Sequence, residues 1–252
     1  MEERYSRNWI YVSEAEQNLL KKYRIILGGA GIGSIIAECA IRFGFESITI
    51  VDGDRVELSN LNRQNYDMLD VGQYKAECLS KRLLNINPSA SINYHNCFIN
   101  KDNVESLIKD HDVAINALDF ASDIPFVFDN ICEKYNISVL HPYNFGWAGF
   151  LTIVKPDGIK LSQLASTPER FDLEVAKYVT HYGNFGNMPK KWLEQVIDTY
   201  QKEYGISPVP QLSVGSWIAA GHCVHALYNL ATGKELKFFP KFYLSSIFYD
   251  NN

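Results

Sequence analysis

The chain has 252 residues, 46% of them hydrophobic and 21% charged, and its formal net charge is −5. This composition is typical of a folded globular protein, and the acidic balance gives no general attraction for nucleic acid or anionic lipid. Five cysteines without a C-x-x-C pair argue against a disulfide framework and against a thiolate zinc site. The charged N-terminal residues do not match a signal peptide, so we expect a cytoplasmic protein with no membrane or nucleic-acid partner and no zinc.

Short apolar runs and helical patterns alternate through the first 145 residues. Ser13 and Glu16 have the spacing of a capping box that opens a helix ending near Lys22. Buried strands are predicted over 23–27 and 47–51, where apolar runs stop at glycine or polar residues. Residues 90–95 alternate like a strand, 113–117 form a further apolar run, and 138–140 also look like a strand. Helices are predicted between them, over 31–43, 73–84, 103–108 and 124–135. Strands that alternate with helices predict a parallel sheet covered on both faces.

The pattern changes beyond residue 145. A strand over 150–154 is followed by helical and loop residues, then by an apolar helix over 213–231 that Gly233 ends, and by a closing strand over 242–249. Serine, histidine and asparagine residues interrupt this apolar helix, which indicates a buried helix and not a membrane span. We expect these elements to extend the same sheet around a large insertion.

A glycine-rich turn, with Gly28, Gly31 and Gly33, joins the first buried strand to the next helix. Glycines let a backbone approach a phosphate, and the following helix offers free N–H groups and a partial positive charge. Asp52, at the end of the second buried strand, has the position expected of a residue that binds ribose hydroxyls. Ala30 replaces the middle glycine of G-x-G-x-x-G, so a turn that serves only close strand–helix packing stays open. No P-loop signature occurs, which disfavours ordinary kinase chemistry.

The connection after Asp52 concentrates polar side chains. It contains Asp54, Asn60, Arg63 and Gln64, and Lys75 follows near the start of the next helix. The guanidinium of Arg63 can bind a triphosphate through paired hydrogen bonds. A nicotinamide-dependent oxidoreductase needs neither a second acid nor this arginine. Solvated surface charge is the alternative for each residue taken singly.

These residues resemble the ThiF/MoeB/HesA family of ubiquitin-activating-like adenylyltransferases. The family pattern is a glycine-rich turn, then D-x-D, S-N-L-x-R-Q and V-G-x-x-K, and the chain matches it at residues 28–34, 52–54, 59–64 and 71–75. Two further matches lie outside this run, in Arg4-Tyr-Ser-Arg7 and in Ala117-Leu-Asp119. The resemblance covers about residues 4–155 well.

The resemblance implies a doubly wound, Rossmann-like α/β fold whose mainly parallel sheet ends in antiparallel C-terminal strands. Residues 1–252 would then form a single ThiF-type adenylation domain. Its parts would be an N-terminal arm and helix over 1–22, a nucleotide-binding core over 23–145 and a helical crossover insertion over 156–211.

The resemblance also implies a reaction. ATP and Mg²⁺ bind, and a carboxylate, often the C-terminal glycine of a small ubiquitin-like protein, attacks the α-phosphate to give an acyl adenylate. Arg63 and Lys75 would surround the phosphates together with Arg7 of a second subunit, so a homodimer is implied. Asp119 would hold the metal. The remaining nucleotide-binding positions would be Gly28, Gly31, Gly33, Asp52, Asp54, Asn60 and Gln64.

The chain departs from many members of the family. Residues 156–211 contain no cysteine to accept the activated acyl group, and Phe120 follows Asp119 where a polar residue is usual. The adenylate is therefore expected to be the end product or to pass to an external nucleophile. Two alternatives stay open: a relative that activates a carboxylate on modified tRNA, and a non-catalytic nucleotide-binding scaffold.

Overall fold

The computed structural model describes residues 2–165, 171–181, 191–203 and 208–248. Its strands are β1 Arg24–Gly28, β2 Ser47–Val51, β3 Ser91–His95, β4 Val113–Asn116, β5 Ser138–Asn144, β6 Gly149–Val154 and β7 Tyr243–Ser245. They form one seven-stranded sheet in the order β3-β2-β1-β4-β5-β6-β7. The pairs among β1 to β5 are parallel, and β6 and β7 join antiparallel. This topology confirms the predicted fold class.

Helices cover both faces of the sheet. In the described residues they are α1 Glu14–Lys22, α2 Ile32–Phe43, α3 Lys75–Ile86, α4 Val104–Ile108, α5 Ile124–Lys134, α6 Phe171–His181, α7 Lys191–Glu203 and α8 Ser213–Thr232. Ile25 and Leu27 of β1 pack into the core with α2, α3 and α8, whereas Ile26 packs into the core with α4 and α5. This alternation is expected for a strand buried on both sides.

The helices of the predicted insertion have an apolar core of their own. Side chains from α6 and α7 pack there with Phe150 of β6 and with Phe242, just before β7. The parts of 156–211 at 166–170, 182–190 and 204–207 lie outside the described residues. None of the helices in the described ranges is long and apolar enough to cross a membrane.

Several element ends differ from the sequence predictions. The helix predicted from residue 73 begins at Lys75, because the preceding residues form an extended segment against 54–56: Val56 N–H donates to Gln73 O at 2.9 Å and Lys75 N–H to Asp54 O at 2.9 Å. The closing strand is shorter than predicted: β7 ends at Ser245, and residue 249 lies outside the described part. Helix α8 ends as predicted at Gly233, which has a φ of +69°.

The capping box at Ser13 and Glu16 forms and fastens the N-terminal segment to α8. The Ser13 side chain accepts from Glu16 N, and the Ser13 N–H donates to Glu16 Oε2 at 2.8 Å. Glu16 Oε1 also accepts from Tyr228 Oη at 2.9 Å and from Lys234 Nζ at 2.8 Å. These contacts, led by the hydrogen bond from Lys234, lower the pKa of Glu16 to about 2.

We expect Glu16→Ala to lower the free energy of unfolding at pH 7 by about 1 kcal/mol, because the variant loses the Glu16 half of the capping box and the hydrogen bonds from Tyr228 and Lys234. Because the pKa of Glu16 is lower in the folded chain than its ordinary value of 4.5, the stabilising contribution is present above pH 4.5 and is lost as the pH falls toward 2. Urea unfolding of both proteins between pH 7 and pH 3 measures this difference. If the difference in free energy of unfolding between the two proteins does not shrink as the pH falls, the low pKa assigned to Glu16 is wrong.

Candidate functional site

The glycine-rich turn is shaped by close approach of the backbone to its neighbours. Gly29 has a φ of +93°, and a Cβ there would lie 2.4 Å from the carbonyl oxygen of Ala117, so only glycine fits. A Cβ at Gly33 would lie 2.8 Å from Leu27 Cδ1. Gly33 thus allows the close strand–helix packing considered as an alternative. No side chain caps the N-terminus of α2 at Gly31, so this helix end remains open to an anion.

Asp52 connects the glycine-rich turn to the D-x-D segment. Its Oδ2 accepts from Ala30 N at 2.6 Å and its Oδ1 from Asp54 N at 2.7 Å. Burial raises the pKa of Asp52, while these two N–H groups and the ammonium of Lys75 lower it. Each carboxylate oxygen can accept a second hydrogen bond, so Asp52 can still receive hydroxyl donors.

Lys75 is held at the start of α3 against the same segment. Its side chain is only 10% exposed, and Nζ lies 3.0 Å from Asp54 Oδ2. The carboxylate of Asp54 is half exposed. A lysine this buried needs a counter-charge, which Asp54 supplies. The Lys75 ammonium can also bind the negative charge of an incoming phosphate.

Asn60 forms the turn that carries Arg63. A 3₁₀ turn covers Leu58–Asn60, and Asn60 Oδ1 accepts from Glu57 N at 3.0 Å. The carbonyl oxygen of Asn60 accepts from Arg63 N at 3.1 Å and from Gln64 N at 2.9 Å. The helical turn considered from the sequence therefore forms, and the Asn60 side-chain oxygen closes it.

Arg63 is anchored and does not extend into bulk water. Its Nε donates to Gln211 Oε1 at 2.6 Å, and its Nη1 donates to Ser59 O at 2.9 Å and to Asn62 Oδ1 at 2.8 Å. Burial lowers the pKa of Arg63, and the carboxylate of Asp119 opposes this effect. Arg63 and Asp119 are therefore close enough to interact electrostatically.

Asp119 follows β4 at the carboxyl edge of the sheet. Its side chain is exposed to solvent, but the protein around it raises its pKa by desolvation. Lys75 and Arg63 lower that pKa, whereas Asp54 raises it. Two cations and two carboxylates from separate stretches of the sequence thus interact beside the glycine-rich turn.

Arg7 lies elsewhere in the chain. It is an exposed residue of a 3₁₀ segment, Glu3–Asn8, whose Tyr5 and Asn8 donate to the carbonyl oxygens of Ile41 and Phe43. These two carbonyls belong to the C-terminal end of α2, which has 12 residues and is about 18 Å long. The glycine-rich turn is at its other end. Arg7 is therefore remote from the charged set of its own chain.

Two residues near this set were not anticipated from the sequence. Gln211 contacts Arg63 across 148 residues, and no local pattern indicates such a contact. Desolvation raises the pKa of Asp172, in the first turn of α6, and the charge of Asp119 raises it further. The rings of Phe120 and Phe171 have centroids 4.5 Å apart, so the unusual Phe120 fixes the start of α6 beside Asp119.

The residues fit a bound nucleoside triphosphate. Gln64 Oε1 is buried without a hydrogen-bond partner in the described residues, and Gln64 Nε2 lies 3.4 Å from where a Gly31 Cβ would be. A polar ligand at the turn can satisfy such an atom. No cluster of three or more His, Cys, Asp or Glu residues in the described ranges can hold a metal. Mg²⁺ commonly uses one or two carboxylates together with phosphate oxygens, which a single Asp119 can match.

Named relatives match part of the chain. The SAMP-activating enzyme E1 of Haloferax volcanii is 29% identical over 162 residues, which cover 62% of this chain and 59% of that protein. The tRNA threonylcarbamoyladenosine dehydratase of Haemophilus influenzae is 28% identical over 189 residues, 72% of this chain and 69% of that protein. Other relatives are named as molybdopterin-synthase and sulfur carrier protein adenylyltransferases.

The fold resembles a solved structure over almost the whole chain. E. coli MccB, crystallised with AMPCPP and MccA, superposes with a TM-score of 0.69 at 16% identity, covering 97% of this chain and 70% of that one. This likeness shows a shared fold. The family model described as the ThiF family matches residues 5–249, and the chain therefore belongs to the ThiF family.

Proposed function

We propose that this chain is an ATP-dependent adenylyltransferase that activates a carboxylate as an acyl adenylate. The observation that carries the proposal is the charged set beside the open N-terminus of α2, in which Lys75 Nζ lies 3.0 Å from Asp54 Oδ2 and the charges of Lys75 and Arg63 lower the pKa of Asp119. Family membership and the adenylyltransferase relatives support it. Residues 1–252 would act as one adenylation domain, with the nucleotide on 23–145 and the insertion of 156–211 next to it.

The reaction needs positioning more than acid–base catalysis. An oxygen of the incoming carboxylate forms a bond to the α-phosphorus of ATP, the bond from that phosphorus to the bridging oxygen breaks, and pyrophosphate leaves. The carboxylate is ionised at neutral pH, so no general base is required. Correct orientation of two bound reactants can supply about 7–11 kcal/mol of the barrier.

Each charged residue has a role in this scheme. Arg63 and Lys75 would neutralise the triphosphate, which otherwise repels the incoming carboxylate. The N–H groups at Gly31 would receive a phosphate, and Asp52 would accept from the ribose hydroxyls. Asp119 would hold Mg²⁺, which when bound spreads the phosphate charge.

The acceptor is proposed to be a small ubiquitin-like protein or a peptide with a free C-terminal carboxylate. The name of the Haloferax volcanii relative specifies activation of SAMP, and E. coli MccB was crystallised with MccA. The scaffold alternative is not favoured, because the charged set of Arg63, Lys75 and Asp119 is complete. The tRNA alternative has the support of one named relative, but the net charge of −5 opposes it.

We further propose a homodimer in which Arg7 completes the partner's site. Arg7 is remote from its own charged set, and three exposed apolar side chains lie shortly after it in the sequence: Trp9 is 64%, Ile10 76% and Tyr11 82% exposed. A second copy would cover this apolar surface. It would also bring a cation to the triphosphate.

Exchange of labelled pyrophosphate into ATP tests the proposed reaction. We expect exchange only when ATP, Mg²⁺ and an acceptor with a free C-terminal carboxylate are all present, because exchange requires reversible adenylation. The same acceptor with an amidated C-terminus is the control. Absence of ATP binding in calorimetry would contradict the proposed function. Exchange with the amidated acceptor would show that the C-terminal carboxylate is not the group that is activated.

Mixing two inactive variants tests the shared site. Arg7→Ala and Asp119→Ala should each lose activity by roughly 10²-fold or more, because each removes one charged group of the site. In an equal mixture that exchanges subunits, about half of the dimers are mixed. Each mixed dimer has one intact site out of two, so about a quarter of wild-type activity should return. No recovery from folded, exchanging subunits contradicts the contribution of Arg7 to the partner's site.

A further inference from the structure

The order of the strands indicates where the base of a bound nucleotide lies. The glycine-rich turn follows β1, Asp52 follows the neighbouring β2, and β3 lies beyond β2 at the edge of the sheet. Ligands of such sheets bind across the carboxyl ends of the strands. With phosphates at the turn and ribose at Asp52, as proposed above, the base extends toward the carboxyl end of β3.

Phe98 lies in the connection that follows β3, and its side chain is 67% exposed. A Cβ built on Gly53 would lie 2.7 Å from Cγ and Cδ2 and 2.8 Å from Cδ1 of this ring. Those nearly equal distances place one face of the ring against Gly53, which directly follows Asp52. A ring with one face covered by backbone and most of its surface exposed has a face available to a flat ligand.

The backbone at Phe98 and just after it is held by two contacts. The next residue, Ile99, is buried, and its Cδ1 lies 3.3 Å from where a Gly28 Cβ would be. Asn103 Nδ2 donates to the carbonyl oxygen of Phe98 at 3.0 Å. The ring is thus held near the ends of β1 and β2 before any ligand binds, which reduces the entropy cost of binding.

We propose that Phe98 provides a stacking surface for the base of the bound nucleoside triphosphate. The proposal rests on ATP binding at the site described above. Stacking uses the π-face that every base has, so the ring contributes affinity without choosing between adenine and guanine. Glycine at position 53 is required in this arrangement, because any side chain there would push the ring away.

Calorimetry on three variants tests the stacking role. Phe98→Leu keeps an apolar side chain and removes the ring, and we expect it to weaken ATP and GTP binding roughly 5- to 100-fold. Phe98→Tyr keeps the ring and should bind ATP as the wild type does. Tyr94→Leu removes another exposed aromatic residue, on β3 itself, and should leave ATP binding unchanged. Inorganic tripolyphosphate, which has no base, should bind equally to all four proteins.

The outcomes separate this inference from the proposed function. If the wild type binds neither ATP nor tripolyphosphate, the proposed function fails. If the wild type binds ATP and Phe98→Leu binds it equally well, only the stacking role is wrong. An equal loss of ATP and tripolyphosphate binding in Phe98→Leu shows a general disturbance of the site and also overturns stacking. Gly53→Ala alone should weaken ATP binding, because the new side chain displaces the Phe98 ring. Combined with Phe98→Leu it should weaken ATP binding little further, because that ring is already absent.

Discussion

Replacing Asp119 by alanine should abolish ATP–pyrophosphate exchange while the chain stays folded. Asp119 lies in the segment after β4 and is exposed, so removing its carboxylate leaves no buried cavity. The site, however, loses its proposed metal ligand. We expect exchange to fall by roughly 10²–10³-fold or more. Exchange assays and thermal unfolding of the same preparations measure the two properties.

The stability of the Asp119 variant has a definite expected sign. Desolvation raises the pKa of Asp119 in the folded chain, so ionised Asp119 at pH 7 favours the unfolded state. Asp119→Ala should therefore unfold at the same temperature as the wild type or at a higher one. Asp123→Ala is the matched control, because Asp123 is an exposed acid nearby that pairs with Lys101, and it should retain exchange. Retained exchange in Asp119→Ala contradicts the metal assignment.

Replacing Lys75 by methionine is expected to have the second large effect. The ammonium is nearly buried beside Asp54, and it lowers the pKa of both Asp52 and Asp119. Without it, both pKa values rise, and Arg63 is the one cation of the described charged set left to offset the carboxylates that ATP meets. We expect exchange to fall by roughly 10²–10³-fold.

The pH dependence of kcat/KM distinguishes a rise in the pKa values of Asp52 and Asp119 from a general disturbance of the site. Because Asp52 and Asp119 must be ionised to act, and their pKa values rise in Lys75→Met, the acidic limb of kcat/KM should move to higher pH. Lys101→Met removes an exposed lysine that pairs with Asp123 and should leave both rate and profile unchanged. An unshifted acidic limb in Lys75→Met would show that Lys75 does not control these carboxylates.

Local patterns predicted the elements and the order of the charged residues. Apolar runs predicted β1, β2, β4 and β5, because a parallel sheet buries both faces of its inner strands, whereas β3 lies at the edge of the sheet, is mostly exposed and was predicted from its alternating pattern. The capping box predicted the start of α1. The D-x-D and S-N-L-x-R-Q residues follow β2 directly, so their place at the carboxyl edge follows from topology. The roles assigned to them stay predictions.

Contacts between distant residues could not be predicted in this way. The bond from Arg63 to Gln211 joins residues far apart in sequence, and neither residue alone carries a signal for it. The fit of Phe98 over Gly53 depends on the relative placement of two loops. Gly33 shows another limit, since a glycine kept for packing against Leu27 and a glycine kept for a phosphate look identical in a sequence.

A crystal structure with a non-hydrolysable ATP analogue and Mg²⁺ tests the central claim most directly. We predict phosphates at the glycine-rich turn within hydrogen-bond distance of Lys75 and Arg63, the ribose at Asp52 and the metal at Asp119. The α-phosphate should remain accessible to an incoming carboxylate. A nucleotide bound elsewhere, or phosphates that contact neither cation, would contradict the account.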